Sequence, residues 1–137
     1  MIKVERPPNF ARIHAAFPDA DRKGVLFAYG EDIYNPSGVP IPHWLLAHEY
    51  QHCKRQWQQD PEAWWEKYID DHEFRYREEL IAHAAEYVEQ ASQTKDRNER
   101  ARLEQRTAAR LVAPIYNYVP ARSLAQALRD LHKLAHG

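Results

Sequence analysis

Residues 43–58 read His-Trp-Leu-Leu-Ala-His-Glu-Tyr-Gln-His-Cys-Lys-Arg-Gln-Trp-Gln and contain neither glycine nor proline. Pro42 precedes them, which suits the first turn of a helix because the N–H that proline lacks would be unpaired there anyway. The stretch opens a longer segment, residues 43–113, with no glycine and only one proline, Pro61. Because glycine and proline interrupt helices, the sequence predicts a helix over 43–58 and a helical remainder of the chain.

Further helices are predicted from start signals and from apolar residues spaced about 3.6 apart. Asp60-Pro61 repeats the start signal, and Asp96 suits an N-cap because its side chain can accept from free backbone N–H groups. The predicted helices cover about 61–71, 73 into the nineties, 96–112 and 121–136.

The chain before residue 43 is rich in the residues that interrupt helices. It contains three of the four glycines and six of the nine prolines. A short helix is predicted from Asn9 to Phe17, and the strand-forming residues at 24–29 and 32–34 predict a β-hairpin. Because 42 residues cannot bury a core alone, residues 1–137 are predicted to form one domain. The predicted fold class is α+β, mostly α-helical, with a small N-terminal β-hairpin packed beside the helix over 43–58.

Composition excludes several classes of protein. The 137 residues carry 19 Lys and Arg against 20 Asp and Glu, a net charge of -1, which argues against binding to nucleic acid or an anionic membrane by charge alone. The single cysteine, Cys53, excludes an intramolecular disulfide framework. No stretch has the apolar length of a signal peptide core or a membrane span. We therefore expect a cytoplasmic protein, in the producing or host cell, with neither nucleic acid nor a membrane as partner.

Residues 48–52, His-Glu-Tyr-Gln-His, match an H-E-x-x-H motif inside the predicted helix. Residues four apart lie one above the other on a helix, so His48 and His52 can bind one Zn²⁺ while Glu49 faces the water on that metal. Zinc lowers the pKa of its bound water, and a nearby carboxylate can then act as general base. The motif therefore predicts metal-assisted hydrolysis of an amide, with Glu49 as the base. A solvated helix face is the alternative.

A catalytic zinc site needs a third protein ligand and an open position for water. Three candidates, Glu78, Glu79 and His83, lie on one predicted helix. At about 100° per residue the two glutamates flank the apolar stripe on opposite sides, and His83 lies nearer to it. The helical pattern therefore leaves the choice open.

Three segments together resemble a known family. They are residues 48–52 with Gln56 four positions later, Glu79-Leu80-Ile81-Ala82, and Ala113-Pro114-Ile115-Tyr116. The chain resembles the zincin metallopeptidases, in particular the gluzincin branch, whose third ligand is a glutamate on a later helix. Within this branch, the three segments resemble those of small phage and prophage-type metallopeptidases. The second segment resembles the Glu-x-x-Ala ligand segment of this branch, although thermolysin has asparagine where this chain has Glu78.

The resemblance implies a zinc site of His48, His52 and Glu79, and an edge strand that pairs with the substrate backbone. Asp32-Ile33-Tyr34, just before the helix, is the matching strand candidate. If Glu79 is the ligand, His83 one turn later can orient a ligand or bind the transition-state oxyanion, or be a partly buried polar histidine. Tyr116 and Tyr118 lie between prolines, where a phenol can stabilise the oxyanion or simply pack against the core.

The expected function is hydrolysis of a peptide bond in a peptide or protein substrate, with Zn²⁺ as cofactor. Two alternatives remain: a non-catalytic peptide-binding or assembly protein that keeps a structural zinc site, and a regulatory protease specific for one partner protein. Separately, His132 and His136 have the spacing of a metal-binding pair. Their position in the last helical turn is explained more simply by fraying and by the helix dipole, which favours cations there.

Overall fold

The computed structural model describes residues 1–137 and contains six α-helices and three short β-strands. The helices are α1 (Phe10–Ala16), α2 (His43–Trp57), α3 (Pro61–Asp70), α4 (His72–Ala91), α5 (Arg97–Leu111) and α6 (Leu124–His136). The strands are β1 (Ile2–Lys3), β2 (Phe27–Tyr29) and β3 (Asp32–Tyr34), and 3₁₀ turns cover Pro18–Asp21 and Pro114–Tyr116. The predicted mostly helical α+β fold is confirmed. None of the six helices is both long and apolar enough to cross a bilayer.

Side-chain caps determine where four of the helices begin. Asp60, Asp71, Asp96 and Ser123 each accept a hydrogen bond from a backbone N–H in the first turn of the helix that follows. The last helix was expected from about residue 121, and it begins instead at Leu124, because Ser123 is the residue that caps it. The other helix boundaries lie within about two residues of those predicted.

The sheet is larger than the predicted hairpin. β2 and β3 pair antiparallel, and β1 adds to the other side of β3 in parallel, giving the order β1-β3-β2. The central strand β3 is therefore hydrogen-bonded on both sides. The expectation that Asp32–Tyr34 offers a free edge to a substrate is wrong, because a strand paired on both sides has no backbone groups left for a further strand.

Helix α2 is attached to the hairpin by one buried amide. Gln56 Nε2 donates to the carbonyl oxygen of Ala28 at 2.9 Å, and Gln56 Oε1 accepts from the N–H of Gly30 at 2.7 Å. Trp65 Nε1 of α3 donates to the same Ala28 carbonyl at 3.0 Å. Cys53, one turn before Gln56, packs against the buried side chains of the hairpin. These contacts hold α2 alongside the sheet and cover the outer edge of β2 at Ala28.

Two main hydrophobic clusters both include residues of α4. One joins α1, β2 and α3, and its largest members include Trp64, Trp65 and Tyr68. The other joins α4, α5 and α6, and includes Leu111 and Leu131. Because α4 contributes to both clusters and also packs along α2, its polar side chains facing α2 are buried.

Candidate metal centre

Helix α2 directs the three ionisable residues of its motif toward α4. His48, Glu49 and His52 are 4 to 5 % exposed, whereas Tyr50 between them is exposed. The imidazole centroids of His48 and His52 are 5.0 Å apart. Potential ligand atoms of all three residues lie within 4.8 Å of one another. The helical spacing of the motif therefore does bring its three functional groups to one buried point.

Glu79 of α4 lies opposite the two imidazoles. Its Oε1 is 3.2 Å from His48 Nε2, and its Oε2 is 3.1 Å from His52 Nε2. The hydroxyl of Tyr68, on α3, donates to Glu79 Oε2 at 2.6 Å. Burial raises the pKa of Tyr68 well above its usual value, so the phenol keeps its proton and remains a donor. The carboxylate is thus held between two imidazole nitrogens by a phenol from a third helix.

Glu78, the neighbouring candidate, faces another partner. It is as buried as Glu79, at 2 % exposure, but it accepts two hydrogen bonds from Arg55 Nε and one from Arg55 Nη2, at 3.0 to 3.2 Å. It also accepts from Trp64 Nε1 at 2.8 Å. Successive residues on a helix are about 100° apart, so the two carboxylates cannot both face the histidines. In the structure Glu78 is instead part of an ion pair with Arg55.

His83 lies in the same cluster but is turned toward the backbone. Its Nδ1 donates to the carbonyl oxygen of Glu79 at 2.8 Å, since a carbonyl can only accept. Its ring centroid is 4.5 Å from that of His48. Burial and the neighbouring His48 lower the pKa of His83 to about 4, so the imidazole is neutral. The Nε2 atom is therefore an acceptor, and it is 3.5 Å from the Tyr116 hydroxyl.

Glu86 belongs to the centre and was missed by the sequence analysis. His48 Nδ1 donates to Glu86 Oε1 at 2.9 Å, and Arg110 of α5 pairs with the other carboxylate oxygen. Burial would raise the pKa of Glu86, but the hydrogen bond from His48 helps to hold it below the usual value. Glu79, His83 and Glu86 lie at i, i+4 and i+7, one face of a helix, and this spacing was the available signal.

In this cluster, burial and the neighbouring charges shift the pKa values of Glu79 and His48 in opposite directions. Burial would raise the pKa of Glu79, but the facing imidazoles hold it well below its usual value. Burial would likewise lower the pKa of His48, but the neighbouring carboxylates of Glu79 and Glu86 raise it well above its usual value. Glu49 makes no hydrogen bond, and burial raises its pKa. The site thus contains a stabilised anion between two imidazoles and a second carboxyl group beside them.

The donor set fits a transition-metal ion. Glu79 Oε1 is buried and accepts no hydrogen bond, although an unpaired buried acceptor is costly. A cation held by this oxygen and by the Nε2 atoms of His48 and His52 would satisfy it. Two imidazoles and one carboxylate are the ligand set typical of catalytic zinc, and Glu86 on His48 Nδ1 is the type of carboxylate that orients a zinc-bound histidine.

The two tyrosines near the C-terminal prolines have different places. Tyr116 lines the cavity beside the histidines, and Tyr118 instead donates to the Leu111 carbonyl oxygen at 3.0 Å within the core. Arg75, buried in α4, holds Tyr116 in position. Its guanidinium donates to the Tyr116 carbonyl oxygen at 3.1 Å and to the carbonyl oxygens of Tyr68 and Ile69 at 2.8 and 2.7 Å. The segment that contains Tyr116 is therefore attached to the helices that form the site.

A cavity of about 380 Å³ opens onto the cluster, and most of the residues that line it are hydrophobic. Its wall includes residues 24–28, of which Leu26 makes no backbone hydrogen bond. Leu26 lies two residues before Ala28, whose carbonyl points away from β3 toward Gln56, so the free backbone of Leu26 faces the same way.

No family model matches the chain, and no curated protein or solved structure matches it either.

Proposed function

We propose that the protein is a zinc-dependent peptidase whose metal is held by His48, His52 and Glu79. The observation that carries the proposal is the Glu79 carboxylate, whose Oε1 lies 3.2 Å from His48 Nε2 and whose Oε2 lies 3.1 Å from His52 Nε2. Glu49 stands beside this triad, and an apolar cavity leads to it. A zinc ion bound there would lower the pKa of a water molecule toward about 7 and would act as a Lewis acid for the substrate carbonyl.

Glu49 is the proposed general base. Its Oε2 lies 3.6 Å from His48 Nε2, and its carboxyl group makes no hydrogen bond that would occupy it. A carboxylate in this position can accept the proton of the attacking water and return it to the leaving amine nitrogen. The water oxygen first adds to the carbonyl carbon, and the electron pair of the C=O bond moves to the oxygen. When this pair returns, the C–N bond breaks and the nitrogen takes the proton held by Glu49.

Tyr116 and His83 are proposed to stabilise the developing charge. The hydroxyl of Tyr116 can donate to the carbonyl oxygen as this becomes negative. Neutral His83 lies 3.5 Å from that hydroxyl and orients it by accepting its hydrogen when no substrate is bound. Arg75, through the Tyr116 carbonyl oxygen, is a positioning residue for this phenol.

The substrate backbone is proposed to pair with Leu26. Its N–H and C=O are free, and they lie in the cavity wall next to the histidines. An extended peptide can satisfy such groups by adding to a strand edge, and the apolar lining can receive one of its side chains. This edge replaces the one expected at Asp32–Tyr34.

The proposal is tested with the Glu49→Gln variant. The zinc-loaded wild type is incubated with a mixture of peptides of varied sequence, and cleavage is read by mass spectrometry. We expect Glu49→Gln to retain zinc and to lose cleavage, because the amide cannot accept the proton. Tyr50→Phe, at the exposed neighbouring position, is the control and should cleave at the wild-type rate. Cleavage by Glu49→Gln at the wild-type rate would rule out the mechanism.

A second candidate, a structural zinc site in a binding or assembly protein, is favoured by the burial of the donors. Structural sites are closed, and here the four central side chains are at most 5 % exposed. In that case a chelator should lower the free energy of unfolding by several kcal/mol, and no peptide should be cleaved. A protein with a catalytic site and a core that folds without metal should lose less stability, because metal binding then adds only the stabilisation that mass action gives to the folded state.

A further inference from the structure

A second cluster of ligand-type side chains lies between α5 and α6. Glu104 of α5 is 8 % exposed, and its Oε1 accepts from His132 Nδ1 of α6 at 2.7 Å. His136 Nε2 lies 3.6 Å from Glu104 Oε2. Potential ligand atoms of the three residues lie within 4.8 Å of one another. The i, i+4 histidine pair, explained above by the end of a helix, therefore has a buried carboxylate opposite it.

Glu104 differs from the buried residues Glu78 and Glu86 in its ion-pair partners. Glu78 is paired with Arg55, and Glu86 with Arg110, so each has a permanent cation. Glu104 has no such cation: its ion-pair partners are the two histidines. Among the buried glutamates only Glu79, at the centre described above, is likewise faced by a histidine pair on one helix.

The nearby cationic side chains do not pair with Glu104. Arg129 and Lys133 line the same open cavity, of about 410 Å³, but neither makes an ion pair with Glu104. Arg129 donates instead to Gln126 Oε1 at 2.8 Å. The ring of buried Tyr87 packs against His136 at a centroid distance of 5.8 Å, which restricts that imidazole. The two histidine rings are 4.4 Å apart.

We propose that Glu104, His132 and His136 form a second binding site, for a divalent transition-metal ion such as Zn²⁺. Two imidazoles with one carboxylate suit zinc and its neighbours in the first transition series, and the exposed histidines leave coordination positions open to water. The ion would connect α6 to α5. Because it binds only the folded arrangement of the two helices, it would stabilise the C-terminal helix by mass action.

The test is equilibrium dialysis of untagged protein against buffered free Zn²⁺, followed by elemental analysis. Wild type should bind two zinc ions per chain, one at each site. Glu104→Gln and His132→Ala should each bind one fewer than wild type. His132 is 65 % exposed on its side chain, so its replacement leaves the fold intact. His43→Ala is the matched control, because His43 is exposed and makes no hydrogen bond or ion pair; it should bind as wild type does.

A His48→Ala variant separates this inference from the proposed function. It should lose the zinc of the α2–α4 centre and keep the ion bound through Glu104. If wild type binds one ion that Glu104→Gln loses and His48→Ala keeps, the second site is supported and the proposed function fails. The same zinc content in wild type and Glu104→Gln overturns the second site, whatever His132→Ala binds, because it would mean that the carboxylate is not a ligand.

Discussion

Two adjacent buried glutamates on α4 should respond oppositely to the same substitution. Glu79 faces His48 and His52, whereas Glu78 is held by Arg55 and Trp64. Replacement by glutamine changes the charge and almost none of the volume. We expect Glu79→Gln to lose zinc at the α2–α4 centre, and Glu78→Gln to keep that zinc and to be less stable.

The size of each effect follows from the contacts. Removing a group that only orients a metal ligand typically lowers metal affinity about 10- to 100-fold. Removing a direct anionic ligand such as Glu79 should therefore lower zinc affinity by more than about 100-fold. Glu78→Gln weakens a charge-assisted pair worth about 1.5 to 3 kcal/mol. Arg55 is 38 % exposed, so solvent screening reduces this loss to about 1 to 1.5 kcal/mol. At a slope of about 1 to 3 kcal/mol per molar urea, the midpoint should fall by roughly 0.3 to 1.5 M.

The assay is competition for zinc with a chromogenic chelator, and urea unfolding is followed by circular dichroism. Both variants are made in a His132→Ala, His136→Ala background, so that only the α2–α4 centre is titrated. Zinc affinity within twofold of the parent in Glu79→Gln, or a loss of zinc in Glu78→Gln, would refute the assignment of ligands.

Three further outcomes are expected. Glu86→Gln weakens the hydrogen bond that orients His48 through Nδ1, so it should reduce zinc affinity about 10- to 100-fold in the same chelator competition assay. An unchanged affinity would contradict the orienting role of Glu86. Arg75→Met should release the segment around Tyr116 and lower kcat more than it raises KM, whereas wild-type kinetics would exclude a positioning role. Burial raises the pKa of the Cys53 thiol to about 12, so at pH 8 the native protein should react with a thiol reagent roughly a thousandfold more slowly than the unfolded chain. Because the unfolded chain loses that proton above about pH 8.5 and the folded one keeps it, stability should fall as pH rises through this range; equal labelling rates would show that Cys53 is accessible.

Much of the helical architecture could be predicted because its signals are local. Asp60, Asp96 and the absence of glycine after Pro42 mark helices that the structure contains. The third strand, Ile2–Lys3, could not be predicted, because a strand of two residues has no periodicity and depends on pairing with β3, some 30 residues later. For the same reason the free edge at Leu26 was not found: which strand is central depends on pairing between distant segments.

The candidate site also combines features set by local spacing with features set by the packing of distant segments. The sequence by itself determined that His48, Glu49 and His52 share a helix face, since the 3.6-residue repeat of a helix makes that face a matter of spacing alone. Only the tertiary structure decided that Glu79 rather than Glu78 faces them, that Glu86 lies behind His48, and that Glu104 lies opposite His132. The physical reason is that these contacts depend on the rotation and offset of one helix against another, which the packing of both hydrophobic clusters sets and no local pattern specifies.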